Sequence, residues 1–350
     1  MDESPAENNF RTYIDEHELA LSDQIITLLW RDHPEYDRIF DETGKGKCAQ
    51  DIRYHLKYLA DAVDAESPAL FLRYLEWVKS LFASLNIPRD TFSETLKAMK
   101  EVLKKQSSIA LNYLDEGLKA YPELPDRHDS FISPENPLSG VAGNYIQALL
   151  KRDREGAMKI IMQEMEAGRD IREMYEYVFQ VSQREVGRLW QTGNVSVAQE
   201  HYCTGATQLI MSRLYPYVFN HEKNGLTFIG TSVGDELHEL GIRMVSDFFE
   251  LDGWDTIFLG ANTPAKDILR CIMDEQAKVI GISVTITFHL HKAREIIDSI
   301  AENPELRGVR ILVGGYPFNE DRELWHRIGA HGYGTDARDA IRTARRLVGI

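Results

Sequence analysis

Apolar residues recur along the first 120 positions at the three-and-four spacing of helices packed on one side. Leu19, Leu21, Ile25, Ile26, Leu28, Leu29 and Trp30 make the first stripe, and His33-Pro34 ends it because the residue before a proline avoids the helical region. Thr43-Gly44-Lys45-Gly46 reads as a loop, and Ile52, His55, Leu56, Leu59 and Val63 form the next stripe. Ser67-Pro68 predicts a helix start, with Ser67 as N-cap and Pro68 at the first helical position. That helix runs to Asn86-Ile87-Pro88, and Asp90 opens one long helix ending near Tyr121-Pro122. Residues 122–137 hold four prolines and read as a linker with an exposed His128. Helical spacing returns over 138–222: Val141 to Leu149, a helix capped by Asp153, then Ile171 to Trp190, then Val197 to Val218. Short connections make such neighbours antiparallel, as in a four-helix bundle.

The period changes after residue 223. Short apolar runs at 226–232, 255–259, 279–284, 309–313 and near Tyr333 alternate with helical segments. Alternation of this kind predicts a parallel, doubly wound sheet. The chain is therefore a multidomain α + α/β protein: an all-helical domain (1–121), a linker (122–137), a four-helix bundle (138–222) and a Rossmann-like domain (223–350).

Charge and cysteine usage narrow the chemistry. A formal charge of −15 opposes nucleic-acid binding, which needs a basic face. Cys48, Cys203 and Cys271 are scattered, with no C-x-x-C, as expected of a reduced cytoplasmic protein. The start, MDESPAENNF, is acidic and has no apolar signal region, residues 1–8 are expected to be disordered, and no apolar run approaches the roughly 20 residues of a membrane span.

The candidate chemistry begins at Gly234-Asp235-Glu236-Leu237-His238-Glu239-Leu240-Gly241, between the first strand and its helix. A histidine there sits at the carboxyl edge of the sheet, where open α/β sheets place ligands. It can ligate a metal through one ring nitrogen while a carboxylate two residues away holds the other. Ser283-Val284-Thr285 and Gly314-Gly315 end two further strands. This three-part pattern resembles the cobalamin-binding domain of methionine synthase and the B12 mutases, with Glu236 in place of an Asp and Thr285 in place of a Leu. The resemblance implies His238 as lower axial cobalt ligand, oriented by Glu236. Leu237 and Gly241 lie beside it, and Ser283, Thr285, Gly314 and Gly315 line a slot for the cofactor's tail.

A second constellation lies in the bundle. Trp190 is followed after nine residues by Glu200-His201. A core Trp beside an exposed Glu-His pair is the plain reading, and an aromatic face with a carboxylate also suits a nucleoside. The spacing is similar to the W-x9-E-H signature of adenosylcobalamin-dependent photoreceptors. That resemblance implies Trp190 over the 5′-deoxyadenosyl group, Glu200 bonded to it and His201 lining the pocket. Two departures stand out: Gln191 replaces the histidine after the Trp, and an acidic helical domain replaces a basic winged helix. The N-terminal domain resembles the helical region of photocobilins, which implies biliverdin as a second chromophore. Arg53, His55, Lys57, Tyr58, Arg73, Tyr74 and Trp77, with His289 and His291, are candidates to line it, and equally fit core and surface roles. The function expected is a light-cleaved B12 photoreceptor, not an enzyme, that signals as a homo-oligomer with light-dependent assembly to an unknown effector. The alternative is a corrinoid methyl carrier serving separate methyltransferases.

Overall fold

The computed structural model describes residues 9–219 and 222–350, so the expectation for residues 1–8 lies outside the described residues. The N-terminal helices are α1 (Phe10–Asp32), α2 (Tyr36–Ile39), α3 (Glu42–Asp64), α4 (Pro68–Ser84), α5 (Asp90–Leu103) and α6 (Ser108–Ala120). Two expectations are corrected. Gly44 and Gly46 lie inside α3, not in a loop, because Asp41 caps the helix ahead of them and accepts from the Gly44 amide at 2.7 Å. The single helix from Asp90 is two, because the Ser107 hydroxyl accepts from the Ala110 amide at 3.1 Å and starts a new helix.

The prolyl stretch is no free tether. Lys79 Nζ donates to the carbonyls of Tyr121 and Pro122, both at 2.9 Å. The Phe131 amide donates to Glu185 at 2.9 Å, and Asn136 Nδ2 to the Tyr177 carbonyl at 2.8 Å. His128 is half-buried rather than exposed, 3.4 Å from Glu76.

The bundle comprises α7 (Ser139–Leu150), α8 (Arg154–Glu166), α9 (Ile171–Met174), α10 (Val181–Gln191) and α11 (Val197–Arg213), with a short α12 (Tyr215–Val218). Asp153 caps α8 through the Gly156 amide at 2.8 Å. The expected third helix is interrupted by a wider π turn, Tyr175–Gln180, which aims Tyr175, Val178 and Phe179 into the core.

In the C-terminal domain, strands β1 (Thr227–Ser232), β2 (Asp255–Gly260), β3 (Val279–Ser283), β4 (Arg310–Gly314) and β5 (Gly332–Gly334) form one parallel sheet, order β2-β1-β3-β4-β5. Its helices are α13 (Leu240–Leu251), α14 (Ala265–Asp274), α15 (Leu290–Glu302), α16 (Tyr316–Glu320), α17 (Leu324–Arg327) and α18 (Ala337–Val348). All five residues of β3 are buried, as expected of a strand covered on both faces. The chain leaves β1 outward to β2, then returns past it to β3, so the topological switch point lies between β1 and β3.

Three bodies meet at that edge. Met244, Phe248 and Leu251 of α13 join the bundle's core, each contributing about 1.5–3 kcal/mol by burial. From the opposite side, the N-terminal domain packs α3 against the turn Thr287–His289 and α4 against α16. Ser67 does not cap α4 with its side chain; its hydroxyl donates instead to Asp321, which also pairs with Arg327.

Candidate functional site

His238 and Glu236 share the loop after β1, on one flank of the switch point. Glu236 is fully buried, whereas the His238 side chain is 59% exposed. Oε1 of Glu236 accepts from the His238 amide at 3.1 Å and lies 2.5 Å from its Nδ1. Oε2 accepts from the amides of Thr285 and Ile286, both at 2.9 Å, and from His289 Nδ1 at 3.3 Å. Burial by itself raises the Glu236 pKa. Hydrogen bonds from His238, His289 and the Ile286 amide outweigh it and hold the carboxyl far below the usual range. The bond to Glu236 raises the His238 pKa, with partial burial opposing. An ionised carboxylate only accepts, so in the neutral ring Nδ1 of His238 carries the proton and Nε2 keeps its lone pair.

The carboxyl end of the sheet is lined by small residues. Ser232 pairs with Ser283, Ser283 with Gly314, and Gly314 with Gly334. Thr285 meets Glu236 through its amide, not its side chain. A Cβ on Gly314 would touch the Gly334 carbonyl at 3.4 Å, and one on Gly241 would meet nothing within 4 Å. Gly315 has a different reason to be glycine. Its φ is +106°, and a Cβ would fall 2.0 Å from the Val284 carbonyl oxygen, so the protein's own backbone excludes a side chain there. Leu237 is 76% exposed beside the site.

The bundle closes over this edge. Gln208 on α11 donates to Glu239 at 2.9 Å, and Glu239 also accepts from the Ala261 amide at 2.9 Å. Glu200 lies close enough to His238 to contribute to its raised pKa. Its Oε2 is 2.5 Å from His201 Nδ1, and its Oε1 accepts from Thr204 at 3.0 Å. His201 itself points outward, its side chain 74% exposed. Trp190 lies in the last turn of α10, its ring 6.4 Å from that of Trp77 in the N-terminal domain. Gln191 is buried, and its side chain donates to the Trp77 carbonyl at 3.1 Å. It is thus committed to the domain contact.

Most of the candidate chromophore residues are engaged, with one another or with acidic neighbours. His55 is buried, 2.5 Å from the Tyr74 hydroxyl, and burial pushes its pKa down to about 3, so it is a neutral core histidine. Tyr58 stacks on Tyr74 at 3.7 Å, and Tyr74 on Trp77 at 6.3 Å. Lys57 pairs with Glu18 at 2.7 Å, Arg73 with Glu76, and His291 lies 3.4 Å from Asp61. His289 is buried against Glu236. The link from Glu236 through His289 to the N-terminal domain was not legible in the sequence. The one available signal was that His289 follows β3 closely and so falls on the same sheet edge as His238.

Residues 226–342 and 141–215 each match a B12 binding domain model. Together the two matches take in most of the bundle and of the sheet domain, and they support a cobalamin cofactor. The chain is 26% identical over 223 residues to dimethylamine corrinoid protein 1 of Methanosarcina acetivorans, covering 62% of this chain and 100% of that one. It is 26% identical over 207 residues to trimethylamine corrinoid protein 1 of the same organism, covering 57% and 94%. A corrinoid protein of Desulfitobacterium hafniense is 26% identical over 170 residues, covering 47% and 77%. The monomethylamine corrinoid protein of Methanosarcina barkeri shares the fold with a TM-score of 0.54 at 17% identity, covering 60% of this chain and 99% of that one. Residues 14–119 match the Phycobilisome protein model.

These relatives overturn one expectation. The chain is not to be read as a light-cleaved photoreceptor, nor its assembly as light-driven: the proteins it matches are corrinoid proteins, two of those above named for methylamines, which favours the carrier alternative. The W-x9-E-H spacing did not separate the two readings.

The residues present fit a cobalt corrinoid. Among the described residues no group of three or more His, Cys, Asp or Glu is arranged to hold a metal ion. His238 offers one oriented nitrogen, while Leu237, the open space at Gly241 and Trp190 offer apolar surface. No helix among the described residues is long and apolar enough to cross a membrane.

Proposed function

We propose that this chain is a corrinoid carrier, holding cobalamin between the bundle and the sheet domain and presenting its cobalt to a separate methyltransferase. The observation that carries this reading is the correspondence with dimethylamine corrinoid protein 1, matched over 100% of its length. When bound, the cofactor supplies a metal that accepts and releases a methyl group. The chain's own part is to bind and orient. Glu236 holds the proton on Nδ1 of His238 and leaves Nε2 as the nitrogen that would hold the cobalt, and Ser283, Thr285, Gly314 and Gly315 would line the cofactor's tail. Trp190 and Glu200 would cover the cofactor's other face, with the outward-pointing His201 held beside Glu200, and tighter binding of adenosylcobalamin than of methylcobalamin would mark recognition of an adenosyl group there. The three cysteines, all free thiols, accord with a cytoplasmic setting. The test is methyl transfer. The full chain, loaded and reduced, should accept a methyl group from a methylamine with a methylamine-type methyltransferase present, and His238→Ala should not. A loaded wild type that stays unmethylated with every such enzyme tried contradicts the carrier reading.

A second reading concerns the N-terminal domain, where the Phycobilisome match supports biliverdin, a linear tetrapyrrole, as a second cofactor. A cavity of about 330 Å³ there is lined by Phe82 and Tyr121, with Arg127 as the cation for a propionate, since Lys79 is held by backbone carbonyls and Arg89 by Asp126. Biliverdin should co-elute with the full chain on gel filtration and lose affinity in Arg127→Ala. Biliverdin that elutes free contradicts it.

A further inference from the structure

Glu236 receives five donors, and one comes from outside its own loop and the backbone: the ring of His289. His289 is buried, and its Nδ1 faces the same oxygen that takes the Thr285 and Ile286 amides. An ionised carboxylate cannot donate, so His289 Nδ1 must carry the proton of this bond. The ring also has an aromatic neighbour. Phe288 meets it edge-on at 4.5 Å, and Phe288 in turn packs on Tyr58 at 5.2 Å and Tyr54 at 6.1 Å, both on α3 of the N-terminal domain.

We propose that His289 is a positioning residue for the cobalt-facing imidazole. It fixes the Glu236 carboxylate that orients His238, and Phe288 ties that arrangement to the seat of the N-terminal domain. The inference rests on the cobalamin reading above. A partner that displaces α3 would then reach the lower cobalt ligand without touching it, since a packed side-chain chain has few alternative arrangements.

The test uses the full chain and methylcobalamin, whose visible band moves to shorter wavelength when the lower nitrogen ligand is lost. His289→Leu should weaken methylcobalamin binding roughly tenfold and shift the band. His289→Asn, whose amide nitrogen stands near the former Nδ1, should restore both. Phe288→Ala should shift the band in the same direction, and the double variant Phe288→Ala/His289→Leu should fall short of the sum. A wild type that binds no methylcobalamin overturns the cobalamin reading itself. A wild type that binds with histidine below cobalt while His289→Leu is unchanged overturns only the positioning role. Loss in His289→Leu without return in His289→Asn means that His289 merely fills space, and an unaltered Phe288→Ala removes the tie to the N-terminal domain.

Discussion

Oε1 of Glu236 lies 2.5 Å from Nδ1 of His238, joining a fully buried carboxylate to an imidazole that is 59% exposed. A charge held below the surface thus decides which nitrogen of a surface ring stays free. Glu236→Gln keeps the shape but loses the charge and turns one acceptor into a donor. Cobalamin affinity should fall about 10- to 100-fold, as for other residues that orient a metal-bound histidine. Calorimetric titration of wild type and variant checks this, and equal dissociation constants would count against the pair.

Gly315→Ala tests whether this glycine serves the fold before the ligand. With φ at +106° and the Val284 carbonyl 2.0 Å from the would-be Cβ, the variant should lose about 2–4 kcal/mol in urea unfolding without any cofactor. A loss under about 0.5 kcal/mol, the scatter of ordinary surface changes, would mean the loop yields freely.

How much of this was legible follows from which interactions are local. Runs covered on both faces read plainly, so the expected 226–232 and 279–284 became Thr227–Ser232 and Val279–Ser283. The loop bearing His238 could be placed because a strand-to-helix connection in a parallel sheet has one edge to occupy. The glycines of α3 misled because Gly44 donates to the Asp41 cap, and the cap outweighed glycine's usual preference for loops. The Glu236–His289 contact spans distant positions and depends on β1 lying next to β3, which the sequence does not state. The W-x9-E-H spacing was legible but ambiguous, since Trp190 and Gln191 turn out to meet Trp77, a residue of another domain.

Trp77→Ala should loosen that contact. Trp77 is half-buried between Tyr74 and Trp190, so the loss is expected near 2 kcal/mol, below the 3–5 typical of a core aromatic. Limited proteolysis should cut within 122–137 several-fold faster than in wild type. An unchanged digestion rate would show that the ring does not hold the domains together.

Asp247 gives a pH signature. It sits buried in α13 beneath the bundle, accepting from the Tyr175 hydroxyl at 2.9 Å. Burial pushes its pKa up from 3.8 to about 6, against the Tyr175 bond and the nearby Arg243. The folded state therefore binds this proton more tightly than the unfolded chain. Its contribution to stability is fully present below the unfolded value and is lost as pH rises through about 6. Asp247→Asn, which keeps an acceptor for Tyr175, should gain on wild type by about 2 kcal/mol between pH 4 and pH 7.5. Melting curves at the two values check the sign, and a gain that shrinks with rising pH contradicts it.

The nitrogen beneath the cobalt can be read directly. Full-length protein grown with 15N-histidine, loaded with cobalamin and reduced to the paramagnetic cobalt(II) form, should give an electron paramagnetic resonance spectrum in which each high-field cobalt line splits into a doublet, because a spin-½ histidine nitrogen is bound. Triplets that persist under 15N-histidine labelling would place the cofactor's own 14N base, and not His238, below the metal.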